Sequence, residues 1–272
     1  MVIPLIISAD DYAQGAAIDQ GILDLIRMRR LTATSCLSLS PRWREAATSI
    51  TSAIREQADI GLHLDFTAYS RPTRYPHPQL VIRSLLRSLD PEQLKTMIGQ
   101  QLDAFEQEMN SAPDYVDGHQ HVHQLPQVRD VLLAELQSRY ADKLPWIRIS
   151  HSAYDGVKGR VILALGSQAM RKQALRRGFA VTDTLLGVYG FDSNAATYQK
   201  QLRAWLTIAV KETRVKRLCA LMCHPGLPSA DDTDPIRRAR PVEYEVFSSS
   251  VFAEMLQEMD IEPTKASQLL SG

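Results

Sequence analysis

The sequence predicts one α/β domain whose core is a parallel sheet of about seven strands, open or closed into a barrel. Two patterns carry that expectation. Short apolar runs alternate with segments of helical period from end to end, the order expected of a parallel sheet with crossover helices. The clearest runs, Leu5-Ile6-Ile7-Ser8 and Leu218-Cys219-Ala220-Leu221-Met222-Cys223, are continuous rather than alternating, as strands covered on both faces are. The length of 272 residues suits a single unit spanning 1–272, because α/β barrels run to about 250 residues and neither a repeat nor a linker divides the chain.

The first strand stops at Ala9-Asp10-Asp11, and Ile18, Ile22, Leu25 and Ile26 then recur at helical spacing up to Arg29-Arg30. Ala33 to Leu39 reads as the second strand, followed by one helix with Trp43, Ala46, Ala47, Ile50 and Ile54 on its apolar stripe. Asp59 to Phe66 alternates strictly: Ile60, Leu62, Leu64 and Phe66 share one face, Gly61, His63 and Asp65 the other. Arg71 to Pro78 has no periodicity and reads as a loop with a solvated His77. Pro91 to Asn110 is an amphipathic helix with Asp90 as its cap. Tyr115-Val116 is a short strand, and Pro126 opens a helix. Trp146 to Ile149 and Val181 to Thr184 read as short strands around a mostly helical Gly156–Arg177. Ala195 to Val210 is a helix, Leu218 to Cys223 a strand, and Val242 to Met259 the last helix.

Four of the strands run into polar residues: Asp10-Asp11, His63, the cluster His119-Gln120-His121-Val122-His123, and His224 before Pro225-Gly226. In a parallel sheet the C-terminal strand ends share one side, so these distant residues converge. Three of the chain's seven histidines lie within that one cluster, and imidazole is the commonest transition-metal ligand. Adjacent carboxylates repel unless a cation neutralises one, which would leave the other free as a base. One Asp with two His is a common ligand set for a divalent ion with positions left for water. Within the cluster His119 ranks first, being nearest the strand end, while His121 and His123 are open between ligand, supporting donor and substrate contact. A histidine at the mouth of a strand, as His224 is, suits proton donation. Cys223 would point to the opposite face from His224, which argues against a thiol–imidazole pair. The bland alternatives are a helix cap plus a solvated acid at Asp10-Asp11, and satisfied structural histidines elsewhere.

Lys+Arg and Asp+Glu both number 31, a formal net charge of zero that gives no reason to expect nucleic acid or an anionic membrane as partner. The local cluster Arg237-Arg238 with Arg240 reads as a solvated face or helix edge. No apolar run approaches the ~18 residues of a membrane span. Cys36, Cys219 and Cys223 do not make a disulfide framework. With no basic leader at the N-terminus, the cytoplasm is the expected compartment. The assembly state is open, a homodimer included.

Ser8-Ala9-Asp10-Asp11-Tyr12, Gly61-Leu62-His63-Leu64, Val116 to His123 and Met222-Cys223-His224-Pro225-Gly226 occur in an order and at separations that resemble the YdjC-like family of carbohydrate deacetylases. Thr32 to Ser35 and Thr182 to Gly187 resemble it as well. Each motif is weak alone; four in order are specific. The resemblance implies a distorted (β/α) barrel, a divalent metal often described as magnesium, and hydrolysis of an N-acetyl group on a sugar. It maps the metal ligands to Asp11, His63 and His119, the base to Asp10 and the general acid to His224. His121, His123 and Asp65 are then candidates for supporting or substrate contacts. Imidazole ligands lean towards zinc, the resemblance towards magnesium. Tyr12 stands where phenylalanine is usual, and Ala13-Gln14-Gly15 departs from a glycine-rich continuation. Two rival readings are an amidohydrolase-type metalloenzyme acting on another amide and a non-catalytic carbohydrate-binding relative.

Overall fold

The ten-residue strand β1 (Ile3–Tyr12) lies at the middle of the sheet, and its composition follows from that place: Leu5, Ile6 and Ile7 are completely buried. Burial of each such side chain contributes about 1.5–3 kcal/mol. In this computed structural model, which describes residues 2–156, 159 and 163–270, β1 pairs with β2 (Ala33–Cys36) on one side and β7 (Cys219–Cys223) on the other. Beyond β2 come β3 (Asp59–Leu64), β4 (Tyr115–Gly118) and β5 (Trp146–Ile147); beyond β7 comes β6 (Thr184–Leu186). Every pair is parallel. The seven strands curl into a half-barrel, and an Ile147–Val181 bridge brings β5 beside the segment that enters β6. The expected distorted barrel of about seven strands is therefore what the chain forms. An unforeseen strand, β8 (Ile261–Pro263), continues the sheet along residues Ile3 to Leu5 of β1.

The helices flank this sheet: α1 (Ala16–Arg27), α2 (Trp43–Ala47), α3 (Ser52–Gln57), α4 (His77–Leu85), α5 (Pro91–Met109), α6 (Val128–Arg139), α7 (Ser167–Arg176), α8 (Ala195–Arg214), α9 (Ala239–Ser248), α10 (Ser250–Glu258) and α11 (Ala266–Leu269). The cap at Asp90 is present; its carboxylate accepts from the Glu92 and Gln93 amides. The helix expected across Trp43 to Ile54 is two, α2 and α3. The last helix is also two, because Ser249 is extended (φ −72°, ψ 158°) and its hydroxyl caps α10 at the Phe252 amide. Helix α4 begins at His77, inside the stretch expected to be a loop. Of the helical stretch expected over Gly156–Arg177, α7 is present, while 157–158 and 160–162 lie outside the described residues. All three cysteines are buried and free. No described helix is long and apolar enough to cross a membrane.

Candidate active site

The end of β1 is irregular, and the irregularity makes the site. Ala9 pairs with Thr34 and Tyr12 with Cys36, so Asp10 and Asp11 together oppose Ser35 alone. This is a bulge, with Asp11 in the left-handed region at φ 69°. Successive side chains of a regular strand face opposite ways; the bulge lets both carboxylates line one cavity, each only 2% exposed. Ala13 is also left-handed, at φ 74°, a conformation that favours glycine. The Tyr12 hydroxyl donates to the Ala46 carbonyl (2.8 Å), so the buried phenol is satisfied.

His63 reaches the cavity from β3. Its Nδ1 lies 2.6 Å from Asp117 Oδ1 and 3.0 Å from Ser35 Oγ, which leaves Nε2 directed at Asp11 Oδ1 (3.5 Å) and Asp10 Oδ2 (4.0 Å). His119 opens the 3₁₀ turn His119–Gln124, and its Nδ1 lies 3.0 Å from Asp11 Oδ1. Gly118 admits this turn: a Cβ there would sit 2.9 Å from the His123 amide nitrogen. Gln120 and His121 are both left-handed, so the histidines follow neither helical nor strand spacing. His121 lines the cavity with Nδ1 2.8 Å from Ser150 Oγ. His123 turns away; it is fully buried and its Nε2–H donates to the Arg148 carbonyl at 2.9 Å. Burial pulls the His123 pKa down to about 4. Asp65 is not on the cavity wall. It caps the following loop, accepting from the amides of Thr67, Ala68, Tyr69 and Ser70.

Two buried guanidiniums divide the carboxylates. Arg148, with no exposure, grips both Asp10 oxygens at 2.6 Å and Asp117 Oδ2 at 2.8 Å. Arg240, 3% exposed, lies 2.9 Å from Asp11 Oδ2 and 2.6 Å from Asp234 Oδ2. Arg240 is therefore not part of a solvated face as its sequence neighbours suggested; α9 carries it inward to four atoms of the site's own acids and Gln14. His224 follows β7. Its amide donates to Glu243 Oε2 (2.6 Å), its Nε2 lies 3.8 Å from Asp10 Oδ2, and the Phe191 ring meets it edge-on.

Burial alone would raise the Asp10 carboxyl, but Arg148 and the neighbouring imidazoles outweigh it and bring the pKa to about 2. Burial also opposes ionisation of Asp11, and there Arg240, His119 and His63 hold the carboxyl well below its usual range. For His63 burial would favour the neutral ring, yet Asp117 and Asp10 draw a proton onto it and raise its pKa to about 10. Besides imidazoles, the carboxylates of Asp10, Asp11, Asp117 and Asp234 face two guanidiniums among the described residues, Arg148 and Arg240, so four acids meet two permanent cations and the floor of the cavity has room for added positive charge. Asp11, His63 and His119 each offer a ligand atom within 4.8 Å of the others. Asp10, His63 and Asp117 also cluster, but Arg148 already occupies both of those carboxylates. The first set is the better fit for a divalent ion: imidazole and carboxylate donors, with His63 oriented by Asp117 from behind.

The cavity above this floor is about 800 Å³. Its lining includes the apolar and aromatic side chains of Tyr189, Phe191, Met222 and Ile236, and also Tyr69, Arg74, Tyr75 and His77. His77 thus borders the cavity rather than open solvent.

The family model described as YdjC-like protein matches residues 4–258. The chain belongs to the YdjC-like family. Relatives include a carbohydrate deacetylase of Xenopus laevis, 22% identical over 85% of this chain and 83% of its own, and one of Homo sapiens, 26% identical over 84% and 76%. Among solved structures, an Enterococcus faecalis protein provisionally assigned to cellobiose-phosphate cleavage superposes with a TM-score of 0.71 at 22% identity, covering 99% of both chains. A family 4 acetyl xylan esterase from Clostridium thermocellum, solved with a cobalt ion, superposes with a TM-score of 0.53 at 10% identity over 98% and 90%. At these identities the structural likenesses speak for the fold. In this YdjC-like chain the sequence motifs located Asp10, Asp11, His63, His119 and His224 on one cavity. They missed Asp117, Arg148, Arg240 and Glu243. Asp117 had a signal, since it directly precedes Gly118-His119 at a strand end; the two arginines had none short of the tertiary fold.

Proposed function

We propose that this chain is a metal-dependent carbohydrate N-deacetylase that hydrolyses the N-acetyl group of an amino sugar or a chito-oligosaccharide-like glycan. The observation that carries the reading is the meeting of Asp11, His63 and His119 with Asp10 and His224 on the floor of one cavity. The carbohydrate deacetylases among its relatives supply the substrate class. Asp11, His63 and His119 would hold a divalent ion, which when bound acidifies water and polarises a carbonyl. Two imidazoles with one carboxylate suit a borderline ion such as zinc as well as the magnesium implied by the family.

Asp10 is the proton acceptor in this reading. Arg148 holds both its oxygens, fixing the carboxylate's plane and keeping it ionised across the working pH range. Against burial, Arg148 and the neighbouring imidazoles bring that carboxyl to about 2, so it is a weak base that holds its charge. His224 gives a proton to the departing amine, which leaves poorly as an anion. Glu243 and the Phe191 edge hold His224 at the strand mouth. Tyr189 and Phe191 line the cavity and would give a sugar ring apolar contact. The products are acetate and a free amino sugar.

The test is acetate release from a panel of N-acetylated glycans by chelator-stripped protein, with one ion added back at a time. Ion-dependent release is expected. Release that is unchanged by stripping would discard the metal, and turnover of cyclic amides but not glycans would favour the amidohydrolase rival.

A further inference from the structure

His121 has no task in the reaction above, yet the chain goes to some trouble to place it. Its backbone is left-handed (φ 61°, ψ 24°), directly after Gln120 at φ 53° and ψ 26°. Non-glycine residues in that region cost on the order of 1–3 kcal/mol each and persist where the surroundings enforce them, often at working sites. The ring borders the same cavity as Asp10 and His224. Its Nδ1 lies 2.8 Å from Ser150 Oγ, and Ser150 is completely buried.

That contact favours one tautomer. Among the described residues His121 Nδ1 is the sole hydrogen-bond partner of the Ser150 hydroxyl. A buried hydroxyl donates its proton where an acceptor is in reach. With Ser150 donating to Nδ1, the ring proton sits on Nε2. No group among the described residues accepts that Nε2–H. The side chain thus presents one oriented N–H donor, with no acceptor lone pair, to whatever fills the cavity. Such a donor matches an oxygen of the ligand and not an amide N–H.

We propose that His121 is a further catalytic residue, which donates its Nε2–H to the acyl carbonyl oxygen of the bound substrate. The proposal rests on the deacetylase reading, in which Asp10 takes the proton of the water that attacks that acyl carbon and His224 gives a proton to the departing amide nitrogen. As the carbonyl carbon is attacked, its oxygen gains negative charge, and a pre-set donor stabilises the transition state more than the ground state. His121 passes no proton on; it stays neutral, as an electrophilic imidazole does. Ser150 is a positioning residue, acting only through the ring.

The experiment uses the ion-loaded full chain with N,N′-diacetylchitobiose as substrate. His121→Phe is expected to lower kcat by about 10²–10³-fold, the usual effect of removing one such donor, with KM and ion content unchanged. Ser150→Ala is expected to lower kcat less, by about 10-fold, since the ring remains but is no longer held. Should His121→Phe fail to fold, His121→Asn, whose amide reaches only as far as Nδ1, and Ser150→Ala carry the test. Turnover within threefold of the parent in the folded variants overturns the proposal. So does loss of the ion in His121→Phe, which would make the residue a ligand instead. Nitrogen-15 NMR of the histidine rings reads the same site without turnover: Nε2 protonation and an acetate-induced shift of His121 are expected. A ring protonated on Nδ1, or one indifferent to acetate, overturns the proposal even if no glycan is hydrolysed. A parent protein that shows the shift but releases no acetate would instead sink the deacetylase reading.

Discussion

Asp10 and Asp11 are neighbours in sequence and equally buried, but their surroundings differ in kind. Asp10 is locked: one guanidinium, Arg148, holds both its oxygens and also holds Asp117. Asp11 is divided: Arg240 takes Oδ2, while Oδ1 is shared between His119 at 3.0 Å and His63 at 3.5 Å. The first arrangement is complete without any ion. The second gathers two imidazole nitrogens round a carboxylate oxygen and asks for a cation. The bulge at φ 69° is what lets one strand end serve both purposes.

If that contrast is functional, substitution on the two sides should fail in different ways. His63→Ala and His119→Ala are expected to lose ion content and acetate release together. Asp10→Asn and His224→Ala are expected to keep the ion and lose turnover by about 10²–10⁴-fold, the usual contribution of one acid or base. Elemental analysis beside an acetate assay reads both quantities. Full ion content in both histidine variants would remove the ligand assignment, and loss of the ion from Asp10→Asn would erase the distinction between the carboxylates.

The readable part of the site is the part that neighbours in sequence can encode. A carboxylate pair after an apolar run, His63 between Gly61 and Asp65, and His119 just past Val116 all announce a strand end. The parallel order then brings them together without further information. Arg148 and Arg240 could not be read this way, because what brings each one into the site is a carboxylate 138 or 229 residues away. Arg240 looked like one of three surface arginines, and only the turn of α9 separates it from exposed Arg238. Asp65 misled for the opposite reason. Strand alternation placed it with His63, but β3 ends at Leu64 and the side chain folds back on its own loop. The divided helices, at Ser249 and between Ala47 and Ser52, show the same limit: an apolar stripe persists across a break that only cap geometry reveals.

The two arginines sharpen the comparison through stability. Arg148→Met leaves Asp10 and Asp117 buried without their common cation, a change expected to cost about 3–5 kcal/mol. Arg240→Met leaves Asp11 among imidazoles, where a divalent ion can supply the missing charge. Urea unfolding with and without the ion should therefore show recovery for Arg240→Met and none for Arg148→Met. Equal recovery in both would mean that the Asp10 side also takes the cation, and that the second cluster, Asp10 with His63 and Asp117, is the working one.

The smallest effect is expected in acid. In the ion-free protein the Asp10 carboxyl titrates near 2 instead of 3.8. A depressed carboxyl stabilises the fold above its unfolded value, so this contribution is complete above pH 3.8 and is lost as pH falls through about 2. The difference corresponds to about 2 kcal/mol. Asp10→Asn removes that proton uptake, so its stability should fall less steeply than the parent's over the same window. Arg148→Met should flatten the slope as well, since the guanidinium is the largest force holding the carboxyl down. Matching slopes in parent and Asp10→Asn would place the acid sensitivity on the Asp11 side, and would mean that Arg148 fixes the direction of Asp10 without setting its charge.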